Sequence, residues 1–386
     1  MRIVHTSDWH AGRVWKSRSR LEELARLLDH LGRYIEREAI DLVLMSGDVF
    51  DSASPSADAE RLVTEFFRRL GKAGVPSVVI AGNHDSPARL EAWGLLAEFV
   101  GVQTRGLPRA RSAGGLIQVG AKNGEVACVA AVPFAPVGRL VEALTLAHDE
   151  TLARQQYADA MRQILAHLAD GFTPSSVNLV IAHTHVSGAQ HAGSERVVTL
   201  GDDWAATPQS IPATAQYVAL GHIHRPQRMQ AAGPHTEYAG SPMQLDFGEV
   251  ADDKTFAVID VIPGRPPRVE RVPYEGAASL GDFVGTWPEL EASVDRLSTF
   301  GFLRVRVTLD APMPELNRRV RQMLPNVVVV DAVLPELSPA GPEPGAVALH
   351  APVERFKAYY QRRHQAEPRG DTIALFNELY AAAETE

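Results

Sequence analysis

The sequence of 386 residues has one cysteine, no long apolar run and no leader pattern, and each absence excludes a class of protein. A single cysteine can form no internal disulfide, and Cys128 lies in an apolar stretch, which is typical of a core thiol in a reducing compartment. No apolar run approaches the roughly 18 residues of a membrane span, and the first residues lack the pattern of a secretory signal. We therefore expect a cytoplasmic protein that is neither secreted nor anchored in a membrane.

An excess of positive charge is also lacking. The formal net charge of −9 argues against a protein that coats nucleic acid by electrostatic attraction alone. The apolar fraction of 45% is sufficient for a proper core. Because the chain is longer than the roughly 250–300 residues at which a single core stops growing, we expect one large domain and a smaller one.

Two regions with different patterns make up most of the chain. Residues 1–275 alternate strand-like runs with amphipathic segments, which indicates an α/β fold with helices at 57–70 and 87–100. Residues 276–335 have a shorter pattern that we interpret as a small α+β domain. The elements predicted there are a half-buried strand at 302–309, a helix at 314–324 and a second strand at 327–330.

The last part of the chain begins with a linker and ends in two amphipathic segments. Residues 336–352 are rich in proline and glycine and show little periodicity, which is typical of a linker. The segments 353–364 and 371–383 each carry an apolar face, and Asp371 is placed to cap the second one. These faces could pack back on the chain or dock another protein, and the linker favours docking.

Five short apolar runs have one feature in common: each ends in residues that can bind a metal ion. Their length and β-branched content indicate buried strands. Because open α/β folds place their chemistry at the carboxyl ends of the strands, these side chains should meet at one rim. The residues at the five ends are Asp8 and His10, Asp48, Asn83 with His84 and Asp85, His183, and His222 with His224.

The residue types at this rim suit a metal centre. Carboxylate, imidazole and amide oxygen, without thiolate, favour ions such as Mn²⁺ or Fe²⁺ over structural zinc. In Asp8-x-His10 and His222-x-His224 the paired side chains would share one face of an extended segment. Seven ligand-type residues are too many for one ion and suit two if Asp48 bridges them. Two ions about 3.5–4 Å apart clamp the attacking and departing oxygens of an in-line phosphoryl displacement.

Each of these signals is weak when taken singly. A histidine at a strand end is more often a hydrogen-bonded polar residue than a ligand, and Asn83, His84 and Asp85 could form an ordinary turn. All five apolar runs end in Asp, Asn or His, however, and such a coincidence is hard to reach by accident. The set as a whole therefore favours a functional site.

Positive charge is concentrated directly after the first of these ends. The residues are Arg13, Lys16, Arg18 and Arg20. Such runs are usually a solvated face, but their position beside the proposed site favours a contact with nucleic acid.

The ordered motifs resemble the calcineurin-like metallophosphoesterase superfamily, and more narrowly its SbcD nucleases, relatives of the meiotic recombination eleven nuclease. The resemblance covers nearly the whole chain, with specific motifs only in residues 1–250. It implies a β-sandwich flanked by helices, a small α+β capping domain and a C-terminal helical arm that binds a partner. The motifs are His5-Thr6-Ser7-Asp8-Trp9-His10, Gly47-Asp48-Val49-Phe50-Asp51, Gly82-Asn83-His84-Asp85, His183 after its apolar run, Gly221-His222-Ile223-His224 and Gly240-Ser241-Pro242-Met243-Gln244-Leu245.

The resemblance also implies roles for the rim residues. Two divalent ions, Mn²⁺ with Mg²⁺ or Fe²⁺ as alternatives, would be bound. His84 would stay unligated, stabilise the reacting phosphorus and protonate the departing oxygen, with either Asp51 or Asp85 orienting it. His185 departs from the pattern and would be an outer residue or a bystander. The ligands implied for one ion are Asp8, His10, Asp48 and His224, and those for the other are Asp48, Asn83, His183 and His222.

The activity that the resemblance implies is 3′ to 5′ exonuclease action on duplex DNA ends and endonuclease action on single strands or hairpins, in double-strand-break repair. The capping domain would contact DNA through Arg304 and Arg306, although a solvated strand face explains these residues equally well. Because the chain has no Walker A motif, any dependence on ATP must come from a partner.

The resemblance further implies a homodimer and a partner, the SMC-like ABC ATPase SbcC. Helices 57–70 and 87–100 would form the dimer, and the C-terminal segments would bind the ATPase. The residues that we would test are Leu62, Leu96 and Phe99 for the dimer and Phe356, Tyr360, Phe376 and Leu379 for the partner.

Two other functions remain open. The same ligand set could serve a phosphodiesterase or phosphomonoesterase that acts on small molecules, because ligands alone do not choose a substrate. The small domain, the tail and the basic run argue against it. A scaffold that tethers DNA ends without catalysis is the other alternative, and the presence of His84 beside a complete ligand set argues against that.

Overall fold

The structure is a computed structural model that describes residues 1–135, 150–195, 205–334, 353, 356–357, 359–361 and 367–383. Two compact units divide the chain, Met1–Val333 and Leu334–Glu386. The predicted linker at 336–352 lies outside the described residues. None of the described helices is long and apolar enough to cross a membrane.

The first sheet of the larger unit has six strands, and its centre is parallel. Strands β1, β4, β5 and β6 run in one direction, whereas β13 pairs antiparallel with β1 and β14 antiparallel with β13. In spatial order the strands are Arg268–Pro273 (β14), Thr255–Asp260 (β13), Arg2–Thr6 (β1), Leu42–Met45 (β4), Ser77–Ile80 (β5) and Val102–Arg105 (β6).

The second sheet also has six strands with a parallel centre. Strand β9 lies between β8 and β10, and β12 continues the parallel set beyond β10. The edge strands β7 and β11 are antiparallel to their neighbours. In spatial order the strands are Gln227–Arg228 (β11), His235–Tyr238 (β12), Tyr217–Gly221 (β10), Val177–His183 (β9), Val126–Val132 (β8) and Leu116–Gly120 (β7).

The two sheets pack face to face and bury a common apolar core. Ile3 and Leu44 of the first sheet belong to the same buried cluster as Leu179 and Ala219 of the second. Side chains alternate along each strand, so each sheet also has apolar residues on its opposite face. Helices cover these outer faces. Val4 packs with the helices over the first sheet. The sandwich flanked by helices is the predicted fold.

Helices lie on both outer faces of the sandwich, and their ends follow simple signals. Ser56 and Ser86 accept hydrogen bonds from the backbone amides of Ala59 and Arg89, and so cap the two helices that were predicted near 57–70 and 87–100. The second of these is shorter than predicted and continues as a 3₁₀ turn over Glu98–Val100. The helices are Leu21–Arg37 (α1), Ala57–Lys72 (α2), Pro87–Ala97 (α3) and Glu150–Ala169 (α4).

A small three-stranded sheet follows the sandwich within the same unit. Its strands are parallel and pack with the neighbouring helices around a separate apolar core, which includes Leu290, Leu303 and Val320. The strand at 280–286 and the helices before residue 300 were not foreseen. The elements are Leu280–Thr286 (β15), Trp287–Ala292 (α5), Val294–Leu297 (α6), Phe302–Thr308 (β16), Leu316–Met323 (α7) and Val327–Val333 (β17).

The second unit contains one continuous described helix, Gly370–Ala383 (α8), and helical residues between 353 and 361. The ring of Phe356 stacks on that of Phe376 with centroids 4.4 Å apart, and it also meets Tyr360 at 5.9 Å. Aromatic residues predicted to bind a partner therefore contact one another in this structure. The side chain of Leu379 lies outside the described part of the chain.

Candidate metal centre

The five predicted run ends meet where β1, β4, β5, β9 and β10 finish. The prediction that each Asp/His or His/His pair lies on an extended segment was wrong, however. Strand β1 ends at Thr6 and β10 at Gly221, so neither Asp8-x-His10 nor His222-x-His224 is extended. Asp8, His10 and Asp48 have φ of 52°, 47° and 50°, and His222 has 103°. Left-handed backbone of this kind costs about 1–3 kcal/mol per residue and is concentrated at functional sites.

Glycines allow the loops to approach one another at the centre. Gly47 has φ of 98°, and a β-carbon there would lie 2.3 Å from Nδ1 of His183. A β-carbon on Gly82 would lie 2.1 Å from Oδ1 of Asp48. A side chain at either position would push a candidate ligand away from the centre.

Four buried side chains form the first group of donor atoms. Asp8, His10, Asp48 and His224 each place one ligand atom within 4.8 Å of the others. Nε2 of His10 is 3.1 Å from Nε2 of His224 and 3.7 Å from Oδ2 of Asp48. The set is the one that the resemblance implied for one ion.

A second group shares Asp48 with the first. Oδ1 of Asn83 is 3.0 Å from Nε2 of His183 and 2.9 Å from Nδ1 of His222. Nε2 of His183 is also 3.6 Å from Oδ2 of Asp48. Asp48 therefore lies between the two groups, as a bridging ligand would.

The electrostatics of both groups fit divalent cations. Burial raises the pKa of Asp8 to about 8, with the neighbouring charge of Asp48 acting in the same direction and His224 opposing it. Burial lowers the pKa of His183 to about 4 and that of His10 well below its usual range, so these imidazoles are neutral. Neutral nitrogens and carboxylate oxygens that converge in a buried site form a donor set for borderline divalent ions.

Contacts outside the donor groups hold two of the ligand rings. Nδ1 of His183 donates to the backbone oxygen of Ser46 at 2.8 Å, and Nδ1 of His10 lies 3.2 Å from Oδ1 of Asp51. With Nδ1 of His183 as the donor, the lone pair of its Nε2 points into the centre. Burial alone would raise the pKa of Asp51, but its contacts with His10 and Arg13 lower it to about 2.

His84 lies at the edge of the centre, with its ring centroid 4.6 Å from that of His10. Its Nδ1 donates to the backbone oxygen of Asp51 at 2.8 Å, and its backbone amide donates to Asp48. The carboxylate of Asp85 accepts instead from the backbone amides of Val49, Phe50 and Gly82. Of the two residues predicted to orient His84, Asp51 contacts its ring through the backbone carbonyl, whereas the carboxylate of Asp85 joins the loops.

Comparison with known proteins agrees with this geometry. The family model for calcineurin-like phosphoesterases matches residues 1–226, the part of the chain that supplies every candidate ligand. The chain belongs to the calcineurin-like phosphoesterase family, in its SbcD branch. The SbcD subunit of the SbcCD nuclease of Bacillus subtilis is 33% identical over all of this chain and 99% of its own.

Other members of the branch are similar over slightly less of the chain. The SbcD protein of Rhodobacter capsulatus is 32% identical over 82% of both chains, and that of Escherichia coli K12 is 28% identical over 85% of this chain and 83% of its own. The similarity in these SbcD relatives thus extends well beyond the phosphoesterase domain.

The basic run of this SbcD-type chain does not form one exposed face. Lys16 and Arg18 are exposed on a short hairpin, Val14–Trp15 (β2) with Arg18–Ser19 (β3), while Arg13 is half-buried and pairs with Asp51 at 3.1 Å. The prediction that Arg20 contacts DNA is wrong. Its guanidinium is buried and donates twice to Glu23 and once to the backbone of Gln244.

Arg304 and Arg306 lie on one face of β16, and each forms an ion pair. Oδ2 of Asp282 is 2.5 Å from Arg304 and 2.8 Å from Arg306. The guanidinium of Arg304 also lies over the ring of Phe247, 4.8 Å from its centroid. Their contact with DNA stays a prediction, and it would compete with Asp282.

The predicted dimer residues differ in exposure. Leu96 and Phe99 are 73% and 88% exposed, and Leu95 beside them is 71% exposed. Leu62 is partly buried and packs against the core under α2. The three exposed apolar residues lie at the end of α3 and in the turn that follows it, whereas Leu62 on α2 is turned towards the core.

Further residues lie around the centre, and Ser194, Glu249 and Lys254 among them were not foreseen from the sequence. His185, predicted to be an outer residue or a bystander, is buried, and its ring centroid lies 4.8 Å from that of His191. Ser194, Glu249 and Lys254 lie around His224. The sequence signal for these contacts around His224 was the motif that begins at Gly240, which follows the last histidine pair along the chain.

Proposed function

We propose that this protein is a metal-dependent DNA nuclease that processes DNA ends in double-strand-break repair. The observation that carries the proposal is the convergence of seven donor side chains from both sheets on one shared carboxylate, Asp48, in a chain similar along its length to the SbcD proteins of SbcCD nucleases. The substrate is proposed from these relatives, because the donor set by itself fits any phosphodiester.

The residues present fit two divalent ions, which we propose to be Mn²⁺. Asp8, His10, Asp48 and His224 would hold one ion, and Asp48, Asn83, His183 and His222 the other. Ions bound there lower the pKa of coordinated water and neutralise charge on a phosphoryl group. The chain fixes the number and direction of the donor atoms through its left-handed loops and buried hydrogen bonds.

His84 is the proposed acid that protonates the departing sugar oxygen. Its Nδ1 is held by the carbonyl of Asp51, so the ring is fixed with Nε2 on the opposite edge. The bond from its backbone amide to Asp48 ties it to the carboxylate shared by both donor groups. A proton held at Nε2 would be delivered to an oxygen that leaves the phosphorus beside this carboxylate.

The assembly follows from the relatives and from the surfaces of this chain. We propose that an SMC-like ABC ATPase, SbcC, binds the C-terminal residues Phe356, Tyr360, Phe376 and Leu379, and that a second copy binds Leu96 and Phe99. The exposure of those two residues supports the dimer. Residues 276–335 would cap the site, residues 336–352 would link it to the arm, and the complex would work in the cytoplasm.

Cleavage of an end-labelled DNA duplex in Mn²⁺, run beside hydrolysis of bis-p-nitrophenyl phosphate, tests the proposal. The parent should degrade the duplex, and Asp48→Asn should not. Asp159→Asn, at an exposed carboxylate on α4, is the matched control and should retain activity. Hydrolysis of the small ester with no cleavage of any DNA, also with the ATPase present, would instead indicate a phosphodiesterase for small molecules.

A further inference from the structure

His224 differs from the other candidate ligands in what lies behind its ring. Its Nε2 faces Nε2 of His10 at 3.1 Å, inside the first donor group. Its Nδ1, on the far side, contacts Oγ of Ser194, and the same Oγ contacts Oε1 of Glu249. Glu249 itself is 3.8 Å from Nδ1, so the hydroxyl of Ser194 stands between the two groups.

The direction of these hydrogen bonds is fixed by the chemistry of the groups. A neutral imidazole has one N–H, and a ring that offers Nε2 as a ligand carries its proton on Nδ1. Nδ1 of His224 therefore donates to Oγ of Ser194. The hydroxyl proton of Ser194 then goes to the carboxylate of Glu249, which can only accept.

Lys254 completes the arrangement at its outer end. Its Nζ is 2.6 Å from Oε2 of Glu249, and it donates to the backbone oxygen of His224 at 2.8 Å and to Oγ of Ser241 at 3.1 Å. Glu249 is fully buried and the Lys254 side chain is 6% exposed. A buried carboxylate and ammonium persist only when paired and hydrogen-bonded, and here each one is.

Further contacts hold the backbone around His224. Its amide donates to Glu195 at 3.1 Å, and its carbonyl accepts from the amide of Ser241 at 3.1 Å. The motif that starts at Gly240 thus packs against the loop of His224. Gly240 has φ of 74°, and a β-carbon there would come within 2.6 Å of the His224 carbonyl.

We propose that Ser194, Glu249 and Lys254 are positioning residues that fix the tautomer and orientation of His224 and thereby set the affinity of one of the two metal positions. The proposal rests on the metal centre of the proposed function and extends it to these three residues. Outer partners of this kind orient ligand histidines and raise their basicity, and their loss typically lowers metal affinity about 10–100-fold.

The arrangement distinguishes the two donor groups. The ring of His183, in the second group, is held by the neutral backbone oxygen of Ser46, which no side-chain substitution removes. The ring of His224 depends on a side-chain hydroxyl and a buried carboxylate. Loss of the Ser194 hydroxyl should therefore weaken one ion and spare the other.

Mn²⁺ binding to the full-length, metal-stripped chain tests the proposal, with free Mn²⁺ followed by electron paramagnetic resonance. Ser194→Ala should weaken one class of Mn²⁺ site about 10–100-fold and leave the other unchanged. Ser194→Thr, which keeps the hydroxyl, should restore most of the affinity. The metal-free Ser194→Ala protein should still fold, with a lower melting temperature than the parent, because the buried carboxylate of Glu249 loses one donor. Mn²⁺ binding is therefore measured well below the melting temperature of the variant.

A double-mutant cycle with His224→Ala separates positioning from general disturbance. If Ser194 acts through His224, Ser194→Ala should have no further effect on Mn²⁺ affinity in the His224→Ala background. An equal loss in both backgrounds, no loss in the parent background, or failure of threonine to restore affinity would overturn the proposal. Normal Mn²⁺ binding in a protein that cuts no DNA, also with the ATPase present, would refute the nuclease function and leave the positioning role standing.

Discussion

Two buried clusters of histidine and carboxylate lie in the same sandwich, and they differ in how their polar atoms are paired. In one of them Ser46 and Tyr217 flank His5, each 2.9 Å from a ring nitrogen, and Tyr217 donates to Glu237 at 3.0 Å. Arg271 forms an ion pair with the other oxygen of Glu237. Every donor in this chain of contacts meets an acceptor.

The metal centre has the same kinds of residue, but its acceptor atoms face one another instead of facing donors. Nitrogen faces nitrogen between His10 and His224, and an amide oxygen faces two imidazoles at Asn83. The charge of Asp48 adds to the cost of ionising Asp8, because the two carboxylates are close together in a buried site. A cluster of buried histidines and carboxylates is therefore not enough to identify a metal site. The feature that distinguishes the metal centre from the His5 cluster is that its acceptor atoms face one another.

The largest expected effect comes from removing the shared carboxylate. Asp48→Asn should lower nuclease activity about a thousandfold, because two ions lose a common ligand worth several kcal/mol. The metal-free variant should be at least as stable as the metal-free parent, since the charge of Asp48 disfavours ionisation of Asp8. Chemical denaturation in a chelator checks the second expectation. A large loss of metal-free stability would mean that contacts within the chain already compensate the charge of Asp48.

The His5 cluster should instead show its effect in the pH dependence of stability. Burial lowers the pKa of His5 from 6.5 to about 4. Between these values the unfolded chain binds more protons than the folded one, so the free energy of unfolding falls as the pH drops from about 6.5 to about 4. The loss attributable to His5 is about 3 kcal/mol.

Urea unfolding of chelator-treated protein between pH 4.5 and 7 measures this slope. His5→Gln should reduce it by up to one proton, while His183, whose pKa is also lowered to about 4, continues to contribute. An unchanged slope in His5→Gln would show that His5 does not stay neutral in the folded state.

Mn²⁺ should stabilise the protein without involving the His5 cluster. Each ion present at 100 times its dissociation constant adds about 2.7 kcal/mol to the free energy of unfolding. Tyr217→Phe leaves Glu237 without one donor and should cost about 1–3 kcal/mol. The melting temperatures of parent and variant should nevertheless rise equally on addition of Mn²⁺. A smaller rise in Tyr217→Phe would show that the two clusters are coupled.

The smallest effect is expected on the exposed face of the three-stranded sheet, where Asp282 pairs with Arg304 and Arg306. If these arginines contact DNA, Asp282→Asn should strengthen binding and steepen its salt dependence by about one phosphate contact. Fluorescence anisotropy of labelled duplex at several salt concentrations measures this. Asp295→Asn, an exposed acid of the same region, is the charge-matched control. Equal effects of both variants would exclude a local contact.

Much of the fold followed from local pattern. Apolar runs such as Leu42–Met45 and Val177–His183 are strands because β-branched residues suit a buried sheet, and amphipathic spacing predicted the helices that begin at Ala57 and Pro87. The shared rim followed as well, because parallel strands direct their carboxyl ends to one edge.

Other features of the site could not be predicted from pattern. The burial of Arg20 depends on Glu23 beside it and on Gln244, more than 200 residues away. The support of His84 comes from a backbone carbonyl, which every residue possesses and no sequence marks. The left-handed backbone of Asp8 and His10 is uncommon for any residue other than glycine, although Asp and His adopt it more often than most residues do, so the surrounding structure has to impose it.

The sequence by itself determined which residues are the candidate donors and that they lie near one another, because residue type sets ligand chemistry and strand ends set their common location. Only the tertiary structure decided which atoms face each other, which ring nitrogen carries the proton and which charges are already paired. Those properties depend on short distances between residues that are far apart along the chain, such as the 3.1 Å between Nε2 of His10 and Nε2 of His224. Such distances are set by the packing of the whole fold, so they cannot be predicted from local sequence pattern.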